Sequence, residues 1–349
     1  MKAIFKEKPG PGGVLKETDV PKPGADDVLM KIEATSICGT DVHIWDWNEW
    51  AQKRIKPPMI FGHEAAGKIV ELGANVEAAG KLKIGDNISV ETHVYDDTCF
   101  QCKQGNRHIC ENMKIFGVDM NGVFAEYAVV PHQNAWVNDS ALPPAVACIQ
   151  EPFGNAVHTV FEGGAPSGDS AVVLGCGPIG LFAVGILKAI GATQIFAVEP
   201  TPFRARIAEK MGATRVFNPL KDDYVKEILA ATGGKGVGAV LEMSGNGGAL
   251  QNGFKVLRPG GKMDILGVFS KDVALDVTNG IVFKYARVYG INGRRIWDTW
   301  EKTRDLLAGG SKAKVDVRPV LTHEFALKDF EKGFAAIAAG EAAKVILKP

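Results

Sequence analysis

Ser170-Ala171-Val172-Val173-Leu174-Gly175-Cys176-Gly177-Pro178-Ile179-Gly180 is an uncharged, β-branched run, then a glycine-rich turn, then the start of a second apolar run. A strand feeding a helix through G-x-G-x-x-G brings backbone N–H groups to a helix N-terminus, an arrangement that cradles a pyrophosphate. The motif alone is weak. Its context strengthens it, because Glu199 lies nineteen residues after Gly180 at the end of the next strand-like run. A carboxylate there accepts the ribose 2′-OH and repels a 2′-phosphate, so NAD is favoured over NADP. Arg204, five residues further on, is the residue that could instead partner such a phosphate. Cys176 reads as small packing. The uncharged run Ser170 to Leu187 imitates a membrane span, but its glycines and Pro178 divide it into strand, turn and helix.

On either side of this stretch the chain has two rhythms. From about Asp169, strand and helix alternate: Ala171–Leu174 then a helix to Ile190, Gln194–Val198 then a helix to Met211, Val237–Met243 then Ala249–Leu257, and Met263–Val268. Regular alternation predicts a parallel sheet covered by helices on both faces. Residues 1 to about 150 instead carry short β-like runs (Val28–Ile32, Ala66–Val70, Asn87–Val90) broken by Pro and Gly, the pattern of an irregular all-β barrel. The last segment, Ser311 to Pro349, carries an amphipathic Leu327–Ala339 and the strand-like Lys344–Leu347, which needs a sheet to pair with and is expected to return to the first domain.

Composition fits two domains, since 349 residues exceed the size at which one core keeps growing. Forty basic against forty acidic residues leave no net field to hold nucleic acid or an anionic membrane, so a small molecule is the expected partner. The first eight residues have no apolar core of signal-peptide length, which points to the cytoplasm. In that setting the six cysteines read as metal ligands or buried packing rather than disulfides.

Two groups have metal-ligand character. Cys38 with His63 and Glu64, followed along the chain by Glu151, offers a thiolate, an imidazole and carboxylates; three protein ligands leave a zinc position open for substrate. Thr40 and His43 add a hydroxyl and an imidazole, a path by which a proton can leave. Cys148 is a rival ligand beside Glu151, although Val146–Ile149 reads as buried packing. Separately, Cys99-x2-Cys102-x7-Cys110 has the spacing of a closed structural zinc knuckle that lacks a fourth thiolate. Asp96 or Asp97 is the candidate for that vacancy; the alternative is an empty, reduced lobe. His93 and the tryptophans Trp45, Trp47 and Trp50 are candidates to line a substrate pocket, against ordinary packing.

Gly62-His63-Glu64-x2-Gly67-x5-Gly73-x2-Val76 resembles the zinc signature of the medium-chain alcohol and polyol dehydrogenases, and the order of domains agrees along essentially the whole chain. Cys38–His43, the tryptophan-rich His43–Trp50 and Glu151–Thr159 strengthen the resemblance. It implies an α/β protein: a GroES-like barrel as zinc-binding catalytic domain (1–153 and 295–349) and a doubly wound Rossmann domain for NAD (154–294). It further implies catalytic zinc on Cys38, His63 and Glu64, a proton relay through Thr40 and His43, and Glu151 close to both. Gly175, Gly177 and Gly180 of the turn would then hold the cofactor, with Ile179, Glu199, Arg204, Leu266, Gly267, Val268, Ile291 and Asn292. The activity implied is oxidation of the side-chain hydroxyl of L-threonine to 2-amino-3-oxobutanoate with NAD, by a homotetramer. A polyol dehydrogenase acting on 2,3-butanediol or a sugar alcohol is the runner-up, and a zinc- and NAD-binding sensor or structural subunit the non-enzyme alternative. One departure stands out: the family's structural-zinc lobe has four cysteines, and Asp96 occupies the place of the first.

Overall fold

The computed structural model describes residues 1–308 and 314–349; the start of the expected terminal segment, Ser311, lies outside the described residues. The chain forms two compact units. The first comprises Met1–Glu151 and Leu321–Pro349, the second Pro152–Leu307 and 314–320.

The first unit is built on the long strand Asp27–Ile37, which pairs antiparallel with Glu64–Leu72, Tyr127–Pro131 and the C-terminal strand Lys344–Lys348. The terminal strand therefore does return to the first unit, as its buried Val345, Ile346 and Leu347 require. Asn87–Val90 and Ala135–Val137 extend the sheet on one side and Leu321–Ala326 on the other. Val28, Met30, Ile69, Ile88 and Phe116 fill one core of this GroES-like unit. A second core gathers Ile44, Phe61 and Phe124 with Phe330 and Phe334 of the helix Phe330–Ala338. Fully burying one such side chain stabilises by roughly 1.5–3 kcal/mol, which is what these apolar periodicities in sequence are for.

The second unit is a six-stranded parallel sheet in the order Arg215–Phe217, Gln194–Val198, Ser170–Leu174, Val237–Glu242, Leu257–Ile265, Arg287–Gly290. In chain order this is 3-2-1-4-5-6, the doubly wound Rossmann arrangement. The strand and helix runs expected from sequence are all present, with ends shifted by a few residues. Sequence reading passed over the short Arg215–Phe217, the helix Tyr224–Ala231 and the edge strand Arg287–Gly290. The two strands are short or largely exposed, so little alternation marks them; the helix carries an apolar face in Tyr224, Val225, Ile228 and Leu229 that the sequence did offer.

The division between units differs from the expected boundary at 295. Residues 295–307 pack with the second unit, because the helix Asp298–Leu307 buries Trp300, Thr303, Leu306 and Leu307 there, and Val315 N–H donates to the Leu306 carbonyl at 3.1 Å. At the other boundary the change falls within the helix Gln150–Phe161, between Glu151 and Pro152. Among the described residues no helix is long and apolar enough to cross a membrane; the uncharged run after Ser170 ends in a helix of 12 residues, Pro178–Ala189.

Candidate active site

Antiparallel pairing brings the sequence-distant ligands together. Ser36 is opposite Glu64, so the end of one strand, running on into Cys38, lies beside the start of the other, preceded by His63. The turn into that second strand needs Gly62, whose φ is +87° and whose missing Cβ would stand 2.3 Å from the Phe124 ring. In consequence Cys38, His63 and Glu64 offer ligand atoms that all lie within 4.8 Å of one another.

The immediate surroundings of this cluster suit a cation. Asp41 is fully buried, and its Oδ1 lies 3.4 Å from His63 Nδ1, with neither atom hydrogen-bonded among the described residues. Burial opposes a charged His63, yet Asp41 and Cys38 together raise its pKa well above the ordinary value. The negative potential that favours a proton there favours a divalent ion equally, and a carboxylate behind a ligand histidine orients the ring. A thiolate, an imidazole and a carboxylate form a donor set that zinc accepts, so the residues fit the metal.

Glu64 is also held from behind. Its Oε1 accepts from Lys344 Nζ at 2.7 Å, and Ser36 Oγ donates to Oε2. Lys344 is itself buried, donates to the Ile37 carbonyl at 3.0 Å, and has its pKa raised: burial lowers it, but Glu64, Cys38 and then Glu151 outweigh that. Sequence reading missed Ser36, Asp41 and Lys344. Only Lys344 left a signal, as a cation directly before the apolar run Val345–Leu347.

Thr40 and His43 share the helix Gly39–Asp46, where residues three apart lie on one face. Thr40 Oγ1 is 4.0 Å from Cys38 Sγ, and His43 is exposed. Glu151 is buried at the start of the helix Gln150–Phe161 but is not one of the clustered ligands. Cys148 is outside the cluster too, its thiol pushed up to about 12 by burial, in keeping with packing. His93 is buried 3.8 Å from Glu91 Oε1. Of the tryptophans, Trp45 is core: its ring stacks on Phe334 at 4.4 Å and meets Phe330 edge-on at 5.8 Å. Trp47 is half-buried under Lys6 Nζ, 5.0 Å from its ring centre, and Trp50 is exposed, 6.4 Å from the His43 ring.

The lobe at Cys99 forms a second cluster, and the structure separates the two aspartates. Asp97 pairs with Arg107 at 2.7 Å, whereas Asp96 joins Cys99, Cys102 and Cys110 with ligand atoms within 4.8 Å. Asp96 is held below the usual carboxylate range by hydrogen bonds from Asn112 and from the Thr98 and Cys99 amides. The Cys102 and Glu111 amides lower the Cys99 thiol, while burial pushes Cys102 up to about 12. Amides directed at sulfur stabilise thiolates, so this S3O set also fits zinc.

In the second unit, the cofactor candidates collect at one edge. Gly175, Glu199, Leu266 to Val268, and Ile291 with Asn292 all follow the carboxyl ends of parallel strands, beside the point where strand order reverses. The glycines divide their roles. Gly175 has φ +95°, a Cβ on Gly180 would stand 2.0 Å from the Gly175 carbonyl, and Gly177, at the helix N-cap, faces open space. Glu199 Oε2 accepts the Cys176 amide at 2.9 Å, and Oε1 accepts from Arg204 at 2.9 Å. Arg204 is therefore already engaged by the acid. These residues fit a dinucleotide.

Two family models cover most of the chain: the alcohol dehydrogenase GroES-like domain over residues 24–139 and the zinc-binding dehydrogenase over 178–309. With the fold and ligand clusters above, the chain belongs to the zinc-binding alcohol dehydrogenase family. Among similar proteins, the L-threonine 3-dehydrogenase of Thermococcus kodakarensis is 48% identical, matched over 100% of this chain and 98% of its own. Two solved structures share the fold over 100% of this chain and 99% of theirs. One, described as a zinc-binding dehydrogenase of Sinorhizobium meliloti 1021 bound to NADP, is 29% identical with a TM-score of 0.90. The other, an alcohol dehydrogenase of Escherichia coli CFT073 complexed with NADH, is 27% identical with a TM-score of 0.89.

Proposed function

We propose that this chain oxidises the secondary hydroxyl of L-threonine to 2-amino-3-oxobutanoate, with hydride passing to NAD. The observation that carries this is the convergence of Cys38, His63 and Glu64, in a chain 48% identical along its whole length to an L-threonine 3-dehydrogenase. When bound at these residues, zinc supplies a Lewis acid that makes a substrate hydroxyl acidic, and NAD supplies the hydride acceptor.

The chain's own groups do the rest. Asp41 orients His63, while Lys344 and Ser36 hold the Glu64 carboxylate. Thr40 Oγ1, beside Cys38, takes the proton lost by the substrate hydroxyl and hands it along the helix to His43, whose exposure gives it to solvent. Glu151 is assigned to the same pocket, through its charge on Lys344. Gly177 leaves room for the pyrophosphate at the helix N-terminus and Gly175 and Gly180 make the tight turn that brings it there, with Ile179, Leu266, Gly267, Val268, Ile291 and Asn292 beside it. Glu199 receives the ribose 2′-OH. Arg204 is drawn to Glu199 rather than left to partner a 2′-phosphate, which favours NAD.

An assay with L-threonine, 2,3-butanediol and sorbitol separates this reading from a polyol dehydrogenase. Threonine is expected to be turned over best, and Cys38→Ser to abolish turnover while NAD still binds. Preferred turnover of sorbitol overturns the substrate; retained turnover in the variant overturns the zinc site.

The lobe of Asp96, Cys99, Cys102 and Cys110 is proposed to hold a second zinc. Six free cysteines suit a reducing compartment, and a cytoplasmic location with no nucleic-acid or membrane partner is the accompanying proposal. A homotetramer is proposed as well. Among the described residues the edge strand Arg287–Gly290 pairs on one side only, and Val282, Phe283, Tyr285 and Val288 near it are exposed, a surface that association would cover.

A further inference from the structure

His43 is gripped from the next short helix. Asn48 Nδ2 donates to His43 Nδ1 at 2.9 Å, and the Trp50 ring meets the imidazole at a 60° angle. The Asn48 amide cannot turn over. Its Oδ1 accepts the Ala51 N–H at 3.0 Å as the N-cap of the helix Glu49–Arg54. A backbone N–H only donates, so the carbonyl oxygen must face Ala51 and the NH2 must face His43.

An NH2 group in turn only donates, so His43 Nδ1 must present its lone pair and the neutral ring carries its proton on Nε2. Two acids lie near in the chain, and exposed Asp46 is one turn on along the same helix. Glu49 is paired with Lys53 at 2.7 Å, and the charge of Asp46 acts on Lys6. What faces the imidazole, among the described contacts, is a neutral amide and an indole.

We infer that Asn48 is a positioning residue for proton transfer. Acting through His43, it selects the tautomer in which Nδ1 is the acceptor and Nε2 is the nitrogen that exchanges protons. This rests on the reading of His43 as the relay's outlet. One side chain thus caps a helix with its oxygen and sets a tautomer with its nitrogen.

Asn48→Asp separates the two tasks, because it keeps a capping oxygen but replaces the donor by an acceptor. An anion against Nδ1–H favours the imidazolium, so the titration midpoint of His43 should rise by about one pH unit. The midpoint is read from the pH dependence of imidazole C2–H deuterium exchange, by mass spectrometry of the intact zinc-loaded protein after digestion. Asn48→Ser keeps the cap, loses the amide NH2 that reaches Nδ1, and should move the midpoint the same way by a smaller step. If neither variant moves it, the inference is overturned. The acidic limb of kcat/KM for threonine should move with the exchange midpoint. A limb that stays in place while the midpoint moves leaves Asn48's role standing and overturns His43 as the outlet.

Discussion

Lys262 and Asp264 are buried together on the strand Leu257–Ile265, with Nζ and Oδ2 3.0 Å apart. Lys262 also donates to the carbonyls of Val160 and Glu162, closing the end of the helix Gln150–Phe161. Burial raises the Asp264 carboxyl to about 7 against the pull of Lys262, and burial likewise lowers Lys262. Since the folded Asp264 pKa lies above its unfolded value, the native state binds the extra proton between about pH 4 and 7, and stability falls as pH rises through that window. Asp264→Asn should remove this part of the fall. Thermal unfolding of native and variant protein from pH 4 to 8 reads it: the gap between their Tm values should move in the variant's favour as pH rises. A constant gap refutes the assignment.

The helix Gly39–Asp46 has two working faces. One carries Thr40 and His43; the other buries Ile44 and lays Trp45 on the helix Phe330–Ala338. Lys6 ties down its end, donating to the Gly12 and Trp45 carbonyls at 2.8 and 3.4 Å; burial lowers its pKa to about 8. The proposed relay thus depends on packing contributed by the far end of the chain. Trp45→Ala should cost about 3 kcal/mol of stability and lower kcat, because the helix loses its anchor while Cys38 stays in its strand-end position. Chemical denaturation and steady-state kinetics check this. An unchanged midpoint would mean that the stacking does not hold the helix.

For the whole molecule, native mass spectrometry reads two proposals at once: the number of chains in the assembly and the zinc bound by each. Four chains with two zincs apiece are expected. Asp96→Ala should leave one zinc per chain, since three thiolates without an oxygen leave a structural site incomplete. One zinc in the native protein refutes the lobe site without touching the catalytic one, as the two clusters share no residue.

Much of this could be read from residue order alone, where the physics is local. G-x-G-x-x-G after an apolar strand states its own geometry, because the tight turn and close approach are properties of neighbouring residues. Alternation of strand and helix likewise announced the doubly wound sheet, and Cys38, Thr40, His43, His63 and Glu64 could be picked out as candidate ligands and candidate relay by chemical type and spacing. Other features depend on which strands become neighbours. Lys344 sits 280 residues from Glu64 along the chain, and only the antiparallel return of the last strand puts its ammonium on that carboxylate. Pairing also decided between the adjacent acids of the lobe, giving Asp97 to Arg107 and Asp96 to the thiols. It moved Trp45 from pocket candidate to core, and residues 295–307 from the first unit to the second. Side-chain type tells what a group can bind, whereas burial and neighbours, which come from long-range packing, tell which of its possible partners it meets.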